Sequence, residues 1–240
     1  MKKKINVLGV IGIRSGSKGL KNKNILKLGN KHLVGWIIQA AKKSALINRV
    51  VVSTENPRYA KIAKKYGAEI PFLRPRYLAQ DNSKEIDFIK HLIKNLQKEE
   101  NYFPDIIVRL LATCPFQKTD DIDNAIRLVV SGKYDSSVII SKAKEHPMKA
   151  IKIKCKNKKK FLVSYFGDRG IDVGSRYNRQ NFEKAYFRAN VIVFRTNVLK
   201  KNSLTSNKPG FIIIQNKIDI DTKQDLEYAK FFISKKKNYF

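Results

Sequence analysis

The sequence is short of cysteine, of histidine and of long apolar runs. Cys114 and Cys155 are the only two cysteines in 240 residues. Two are too few for a disulfide framework and favour a reducing compartment, so we expect a cytoplasmic protein. No run of 18 apolar residues occurs, and the apolar stretch after the N-terminal lysines lacks a small-residue cleavage site, so neither a membrane span nor a signal peptide is expected. His32, His91 and His146 are widely spaced, which argues against a zinc site.

Acidic residues are also scarce, because 20 aspartates and glutamates stand against 50 lysines and arginines, a net charge of +30. Such an excess favours a nucleic-acid partner. However, the lysines are scattered, arginine is not clustered, and aromatic residues do not alternate with the basic runs. We therefore expect solvated basic faces that attract anionic substrates and bind nucleic acid only non-specifically.

The first apolar segment and the loop after it are the most informative part of the chain. Residues 5–13 are predicted to form a strand buried on both faces, and residues 14–24 then combine two glycines, two serines and several cations. Glycines let successive backbone N–H groups point at an anion, while Arg14, Lys18 and Lys23 add positive charge. Because ligands of open α/β sheets bind at the carboxyl ends of strands, the loop is predicted to bind a polyphosphate.

Three known glycine loops fit less well. A P-loop requires glycine where Ser17 stands, and the dinucleotide fingerprint lacks its third glycine beside Gly16 and Gly19. Gly16 and Gly19 do match the GxxG loop of a KH RNA-binding module, but that loop joins helices, whereas this one follows a strand. On the loop alone, a plain basic turn remains an alternative.

Strand and helix patterns alternate along most of the chain. Predicted strands cover 5–13, 49–53, 105–111, 136–140 and 190–194, and predicted helices cover 34–45, 57–66, 86–97, 119–130 and 222–233. The alternation predicts an α/β fold with a doubly wound, mostly parallel sheet. Residues 149–163 instead indicate an antiparallel hairpin, so we expect an insertion at 141–189 in an α/β domain made of 1–140 and 190–240.

Five motifs occur in a fixed order along the chain. They lie at residues 14–19 with 23–24, 50–55, 66–75, 178–180 with Tyr186, and 218–222. Over nearly its whole length the chain thereby resembles the acylneuraminate cytidylyltransferases, the CMP–sialic acid synthetases and their relatives. This resemblance implies a nucleotide-diphospho-sugar transferase-like fold and a homodimer, with 141–189 as a dimerisation arm that reaches the partner's active site.

The same resemblance implies an enzyme that joins CTP to an acidic nine-carbon, nonulosonic sugar to give CMP-sugar and pyrophosphate. Arg14 and Lys23 are then the catalytic cations. The other implied contacts are Ser15, Gly16, Ser17, Lys18, Gly19, Asn24 and Arg74 with the nucleotide, and Arg179, Gln180 and Tyr186 with the sugar.

Asp219 and Asp221 lie two residues apart near the end of the chain. If their segment is extended, both carboxylates project to one face, and two hard oxygen donors suit Mg²⁺. Asp221 could instead cap the helix that begins near Thr222, and both roles can coexist. The family resemblance favours Mg²⁺ as the cofactor.

Two positions depart from the family pattern. Leu111 stands where the family often has glutamine, with Arg109 and Gln117 as candidates to replace it, and Asn190 is not followed by glycine. Three alternatives therefore stay open: a related sugar nucleotidyltransferase for 3-deoxy-octulosonate or another nucleotide, an inactive homologue, and a non-catalytic nucleic-acid-binding protein. The paired aspartates argue against the last, because carboxylates repel phosphate unless a metal intervenes.

Overall fold

A six-stranded sheet is the centre of the computed structural model, which describes residues 4–166, 182–215 and 217–235. In chain order the strands are β1 (Val7–Gly12), β2 (Lys27–Leu28), β3 (Lys31–His32), β4 (Arg49–Ser53), β5 (Ile106–Leu110), β6 (Ser136–Lys142), β7 (Ile151–Lys156), β8 (Lys159–Ser164), β9 (Tyr186–Arg195) and β10 (Gly210–Ile214). The helices are α1 (Leu33–Lys43), α2 (Pro57–Lys65), α3 (Glu85–Glu100), α4 (Thr119–Val130) and α5 (Lys223–Lys235).

The central sheet has the order β10-β6-β9-β5-β1-β4, and it is mostly parallel. Only β9 runs against its neighbours β5 and β6. Helices cover both faces, with α1 and α4 on one and α3 on the other, because each presents an apolar stripe to the sheet. The predicted doubly wound α/β fold is confirmed.

The parallel strands bring the ends of β1, β4 and β5 to one edge of the sheet. Strand β1 pairs in parallel with both β4 and β5, so the loops that follow Gly12, Ser53 and Leu110 emerge side by side. The continuous apolar sequence of β1 is explained by its central position, since both of its faces are covered.

Two features differ from the expectation. Strand β9 begins at Tyr186, inside the predicted insertion. The hairpin β7–β8 within that insertion does form a separate two-stranded sheet, as predicted. No strand is predicted for Gly210–Ile214, yet these residues form the edge strand β10 because they pair in parallel with β6. Among the described helices, none is both long and apolar enough to cross a lipid bilayer.

Candidate functional site

The loop after β1 is held in place by hydrogen bonds from inside and outside it. Lys23–Ile25 forms a single 3-10 turn, and the buried side chain of Asn24 donates through Nδ2 to the carbonyl oxygen of Arg14 at 3.1 Å. Asn22 adopts a left-handed φ of 58° and accepts a hydrogen bond from the Tyr59 hydroxyl at 3.0 Å. The predicted phosphate loop is therefore held both by its own residues and by α2, and the side-chain amide of Asn24 donates within the loop.

This loop lies against the aspartate segment, 198 residues away in the sequence. A Cβ atom at Gly19 would come within 2.8 Å of the Asp221 carbonyl oxygen, so this close approach requires glycine. The Lys23 Nζ contacts the Asp221 Oδ1 at 2.5 Å. The Ile220 N–H donates to the Thr113 carbonyl at 2.9 Å, which ties the segment to the loop after β5. Lys23, early in the sequence, and Asp221, late in it, thus share one site.

Asp219 has one engaged oxygen and one without a partner. Its Oδ2 accepts from the Lys217 Nζ at 3.1 Å, whereas its Oδ1 is buried and finds no hydrogen-bond partner in the described part of the chain. A buried carboxylate oxygen without a donor is costly. The Cys114 thiol lies within hydrogen-bond reach of the Asp219 carboxylate, so a cation that arrives with a ligand would compete with it.

Helix α5 is capped without the carboxylate of Asp221. The Asp225 N–H donates to the Thr222 Oγ1 at 3.2 Å, and the Asp225 Oδ2 accepts from the Thr222 N–H at 2.7 Å. This reciprocal pair is a capping box, so the alternative role of the Asp221 side chain as a helix cap is wrong. The Asp221 carboxylate is 63% exposed and remains available beside Lys23.

Glu55, which sequence reasoning does not assign to the site, supports the loop from the end of β4. Its Oε1 accepts from the Ser15 N–H at 2.7 Å and from the Ser15 hydroxyl at 2.6 Å, and its Oε2 lies 3.3 Å from the Arg74 Nη2. Burial alone would raise the pKa of Glu55, but the hydrogen bonds from Ser15 and Arg74 outweigh it and hold this pKa below its usual value. Ser15, predicted to contact the nucleotide, thus directs both donors at Glu55. The signal that could have identified Glu55 is its place at the end of the 50–55 motif.

Arg74 is almost completely buried in the same site. Its Nη2 donates to the Ile13 carbonyl at 2.6 Å, and its guanidinium carbon lies 4.9 Å from the centroid of the Phe88 ring. Burial lowers the pKa of Arg74, which Glu55 partly offsets. The Arg74 Nε is buried and has no hydrogen-bond partner within the described residues. An immobilised guanidinium with a donor to spare is suited to contact an acceptor on a ligand.

Asp81, which sequence reasoning also misses, engages the other two cations of the loop. The Arg14 Nη2 lies 2.8 Å from one carboxylate oxygen of Asp81, and the Lys18 Nζ lies 2.7 Å from the other. These hydrogen bonds, that from Lys18 first, lower the pKa of Asp81. Gly16 is exposed, and a Cβ atom there would meet only open space, while Ser17 is half-buried. Packing therefore does not explain why glycine and serine occupy these two positions.

The structure separates the two candidates for the glutamine missing at position 111. Arg109, on β5, donates to the Glu85 carboxylate at 2.7 Å and to the Asn190 carbonyl at 3.3 Å, and it is mostly buried. Gln117 is buried and lines a different cavity. The Arg109 Nε has no hydrogen-bond partner among the described residues. Arg109 is therefore the candidate with an unused donor that could replace the missing glutamine.

The cavity that Gln117 lines has a volume of about 710 Å³ and lies between α1, the start of α4 and the segment after β10. Its walls include lysines and aromatic residues, among them Lys31, Trp36, Lys43, Phe116, Lys118, Lys217 and Phe232. Apart from the candidate Gln117, none of the predicted site residues that the structure describes lines this cavity. The cavity borders the aspartate segment, because Lys217, which pairs with Asp219, is part of its wall.

Cys114 lies buried near Asp219. The Asn190 amide donates to its sulfur, and the thiol is free. Burial, reinforced by the nearby Asp219 charge, raises the pKa of Cys114, so the thiol stays protonated at neutral pH. Its role in this structure is to pack beneath the aspartate segment.

The predicted sugar contacts are only partly within the described residues. Tyr186 opens β9, pairs across the sheet with Lys142 and is 38% exposed, whereas Arg179 and Gln180 lie outside the described residues. The hairpin β7–β8 carries exposed large apolar side chains, namely Ile151, Ile153, Phe161 and Leu162. Such a surface on a separate two-stranded sheet indicates an interaction site.

No three His, Cys, Asp or Glu side chains of the described chain gather into a preformed metal cluster. The carboxylates of Asp219 and Asp221 are the predicted metal ligands at the site. Two are sufficient for Mg²⁺, which keeps several waters and takes further ligands from substrate phosphates.

An ordered cationic loop at the carboxyl end of β1, set against paired aspartates on a doubly wound sheet, defines the nucleotidyltransferase class of α/β enzymes. A family model described as cytidylyltransferase matches residues 8–240. The chain therefore belongs to the cytidylyltransferase family, and the resemblance inferred from its motifs is confirmed.

Three curated relatives are similar over nearly the whole chain. Flagellin modification protein B of Campylobacter coli is 29% identical over 96% of this chain and 96% of its own length. The N-acylneuraminate cytidylyltransferase of Escherichia coli is 30% identical over 97% of this chain, which spans only 53% of that relative. The pseudaminic acid cytidylyltransferase of Campylobacter jejuni is 28% identical over 93% of this chain and 94% of its own length.

Solved structures show the same fold at low identity. A CMP:2-keto-3-deoxy-manno-octonic acid synthetase with CTP superposes with a TM-score of 0.69 at 15% identity, covering 96% of this chain and 99% of that one. A 4-diphosphocytidyl-2C-methyl-D-erythritol synthase from Anaerococcus prevotii gives 0.64 at 11% identity, with coverage of 96% and 97%. The fold is that of the nucleotide-diphospho-sugar transferases.

Proposed function

We propose that this chain joins CTP to a nonulosonic, sialic-acid-like sugar. The anomeric hydroxyl of the sugar attacks the α-phosphorus of CTP and loses its proton, while the bond from that phosphorus to the β-bridging oxygen breaks and pyrophosphate leaves. The observation that carries the proposal is the contact of the cationic loop with Asp221 in a member of this family. The activities by which the relatives are named support CTP and a nonulosonic sugar as the substrates.

The charged residues of the loop have the roles that nucleotidyl transfer needs. Arg14, Lys18 and Lys23 hold the β- and γ-phosphates and stabilise the negative charge that grows on the leaving pyrophosphate. Arg74, immobilised by Glu55, contacts the nucleoside. Positioning and electrostatics of this kind account for most of the catalysis in phosphoryl transfer.

Mg²⁺ fits the site as its cofactor. The unpartnered Oδ1 of Asp219 and the exposed carboxylate of Asp221 would hold it. Bound there, it would supply positive charge to the triphosphate. Before the triphosphate binds, Lys23 pairs with Asp221 and orients it toward the loop.

Asp221→Asn is expected to raise the Mg²⁺ concentration needed for half-maximal activity by at least about tenfold, because a ligand oxygen loses its charge. Direct Mn²⁺ binding followed by electron paramagnetic resonance should weaken in parallel. The control is Asp87→Asn, on the exposed side of α3, which removes the same charge. An Asp221→Asn protein with unchanged Mg²⁺ and Mn²⁺ affinity would remove the metal from the proposal.

Arg179, Gln180 and Tyr186 are proposed to contact the acidic sugar. An arginine fork matches a carboxylate bidentately, which suits Arg179 to the acid group of the sugar.

We further propose a homodimer in which the apolar face of the hairpin β7–β8 packs on a second copy. The support is the exposure of Ile151 and Ile153, whose directly paired neighbours across the hairpin are Ser164 and Leu162.

Ile153→Gln is expected to shift the protein from dimer to monomer in size-exclusion chromatography with light scattering, because it removes the most exposed apolar side chain of that face. Lys152→Gln is the matched control, since its side chain points to the opposite face of the same strand. Equal masses for the two variants would contradict the proposed interface.

The free thiols of Cys114 and Cys155 support a reducing compartment, and we propose the cytoplasm as the place of action. The protein is proposed to bind nucleic acid only non-specifically, through the lysines scattered over its surface. Such binding weakens steeply with added salt, unlike turnover of CTP.

A second candidate is a related transferase for 3-deoxy-octulosonate or for another nucleotide. Leu111, in place of the family glutamine, is the observation that favours it. A pyrophosphate-release assay that crosses CTP, UTP, GTP and ATP with nonulosonic acids and 3-deoxy-octulosonate separates the candidates. We expect turnover with CTP and a nonulosonic acid. Folded protein without turnover for any pair would contradict both candidates and favour an inactive homologue or a nucleic-acid-binding protein.

A further inference from the structure

Asp81 occupies the cations that the triphosphate needs. Its two carboxylate oxygens lie 2.8 Å from the Arg14 Nη2 and 2.7 Å from the Lys18 Nζ. A carboxylate and a phosphate oxygen are the same kind of partner for guanidinium and ammonium groups, because both are anionic acceptors. Asp81 therefore stands where phosphate oxygens must bind.

The carboxylate is presented by a built turn. The Ser83 hydroxyl donates to the Tyr77 carbonyl at 2.8 Å and accepts from the Gln80 N–H at 3.0 Å, which closes the backbone around Asp81. The Arg14 Nη1 also donates to the Ala79 carbonyl at 3.4 Å. Arg14 thus has an anchor on this turn besides Asp81, so its guanidinium stays in place when the carboxylate leaves.

The two ion pairs of Asp81 are easy to exchange. The side chains of Lys18, Asp81 and Arg14 are 80%, 46% and 33% exposed, and exposed pairs of this kind contribute little to stability. A triphosphate carries more charge than one carboxylate and reaches all three loop cations at once. It therefore displaces Asp81 without disturbing the fold.

We propose that Asp81 is an internal competitor that gives up Arg14 and Lys18 to the incoming triphosphate and takes them back when pyrophosphate leaves. The inference rests on the proposed function for the identity of the phosphates. It assigns Asp81 a role in the affinity for nucleotide and in product release. After the transfer, pyrophosphate is no longer tied to the nucleoside, so the returning carboxylate competes with it more effectively than with CTP.

Asp81→Asn should bind inorganic pyrophosphate about threefold to tenfold more tightly than wild type in isothermal titration calorimetry, as expected for the loss of two exposed ion pairs. The substitution keeps the size of the side chain, and an unchanged melting temperature checks the fold. Asp87→Asn removes one negative charge from the exposed side of α3 and controls for net charge. We expect its affinity for pyrophosphate to stay within about twofold of wild type.

Pyrophosphate affinity in Asp81→Asn that equals that of Asp87→Asn would overturn the inference. Weaker binding would also overturn it, because Asp81 would then serve to hold Arg14 in position. In turnover, the inference predicts a lower KM for CTP and stronger inhibition by pyrophosphate in Asp81→Asn. If wild type turns over CTP and these parameters do not change, the inference fails and the proposed function stands. If Asp81→Asn tightens pyrophosphate binding but no CTP turnover exists, the proposed function fails and the exchange stands.

Discussion

Lys23→Ala is expected to lower kcat/KM for CTP by about 100- to 1,000-fold, the usual loss when one preorganised donor to a developing negative charge is removed. The melting temperature should hardly change. Lys23 pairs with Asp221, whose carboxylate is 63% exposed and regains water when the ammonium group is gone. Steady-state kinetics and thermal unfolding of the same preparation measure both quantities.

Lys21→Ala is the matched control, because Lys21 lies in the same loop, carries the same charge and is exposed. It should retain activity within about twofold, since screened surface charges act weakly. A Lys23→Ala enzyme as active as this control would remove Lys23 from the catalytic site. A large fall in its melting temperature would assign Lys23 a structural role instead.

Glu55→Gln is expected to lower the free energy of unfolding by about 3 kcal/mol, because it leaves the buried guanidinium of Arg74 without a counter-charge. The side chains of Glu55 and Arg74 are only 10% and 4% exposed. For a chain of this size the melting temperature should fall by roughly 6–12 °C. Chemical denaturation monitored by circular dichroism measures the change.

Glu69→Gln tests whether burial of the ion pair is the reason for the large destabilisation expected of Glu55→Gln. Glu69 pairs with Arg49, but its side chain is 47% exposed, so its loss should cost no more than about 1 kcal/mol. Equal destabilisation by the two substitutions would contradict the central position given to Glu55.

The Glu55 effect should also depend on pH in a defined direction. Because the pKa of Glu55 is lower in the folded protein than its ordinary value of 4.5, the stability that Glu55 supplies is complete above that value and is lost as the pH falls through the folded-state pKa. The difference in stability between wild type and Glu55→Gln should therefore narrow on acidification below about pH 4.5. A difference that widens there would contradict the direction of the shift.

Much of the fold follows from local patterns in the sequence. The apolar run of β1 predicts a strand buried on both faces, and the period-two segment near 150 predicts the hairpin β7–β8. These elements are predictable because the spacing of apolar residues along the chain shows which faces of a strand are buried. Strand β10 is missed although residues 211–214 form an apolar run, because the strand is short and lies half-exposed at the edge of the sheet.

The site is only partly predictable for the same reason. The loop cations and Asp219 with Asp221 are visible as motifs, and Gly19 is explained by the approach of Asp221. The partners that organise them are set by tertiary contacts: Glu55 holds Ser15 and Arg74, and Asp81 holds Arg14 and Lys18. Spacing along the chain carries no signal for these pairings, although the place of Glu55 at the end of the 50–55 motif marks that residue as a candidate.

A crystal structure of the protein with CTP and Mg²⁺ would show whether the loop cations and the two aspartates bind the nucleotide together. The triphosphate should lie between the loop cations Arg14, Lys18 and Lys23 and the carboxylates of Asp219 and Asp221, with the nucleoside toward Arg74. A nucleotide bound instead in the cavity beside Trp36, with Lys23 still paired to Asp221, would contradict the account.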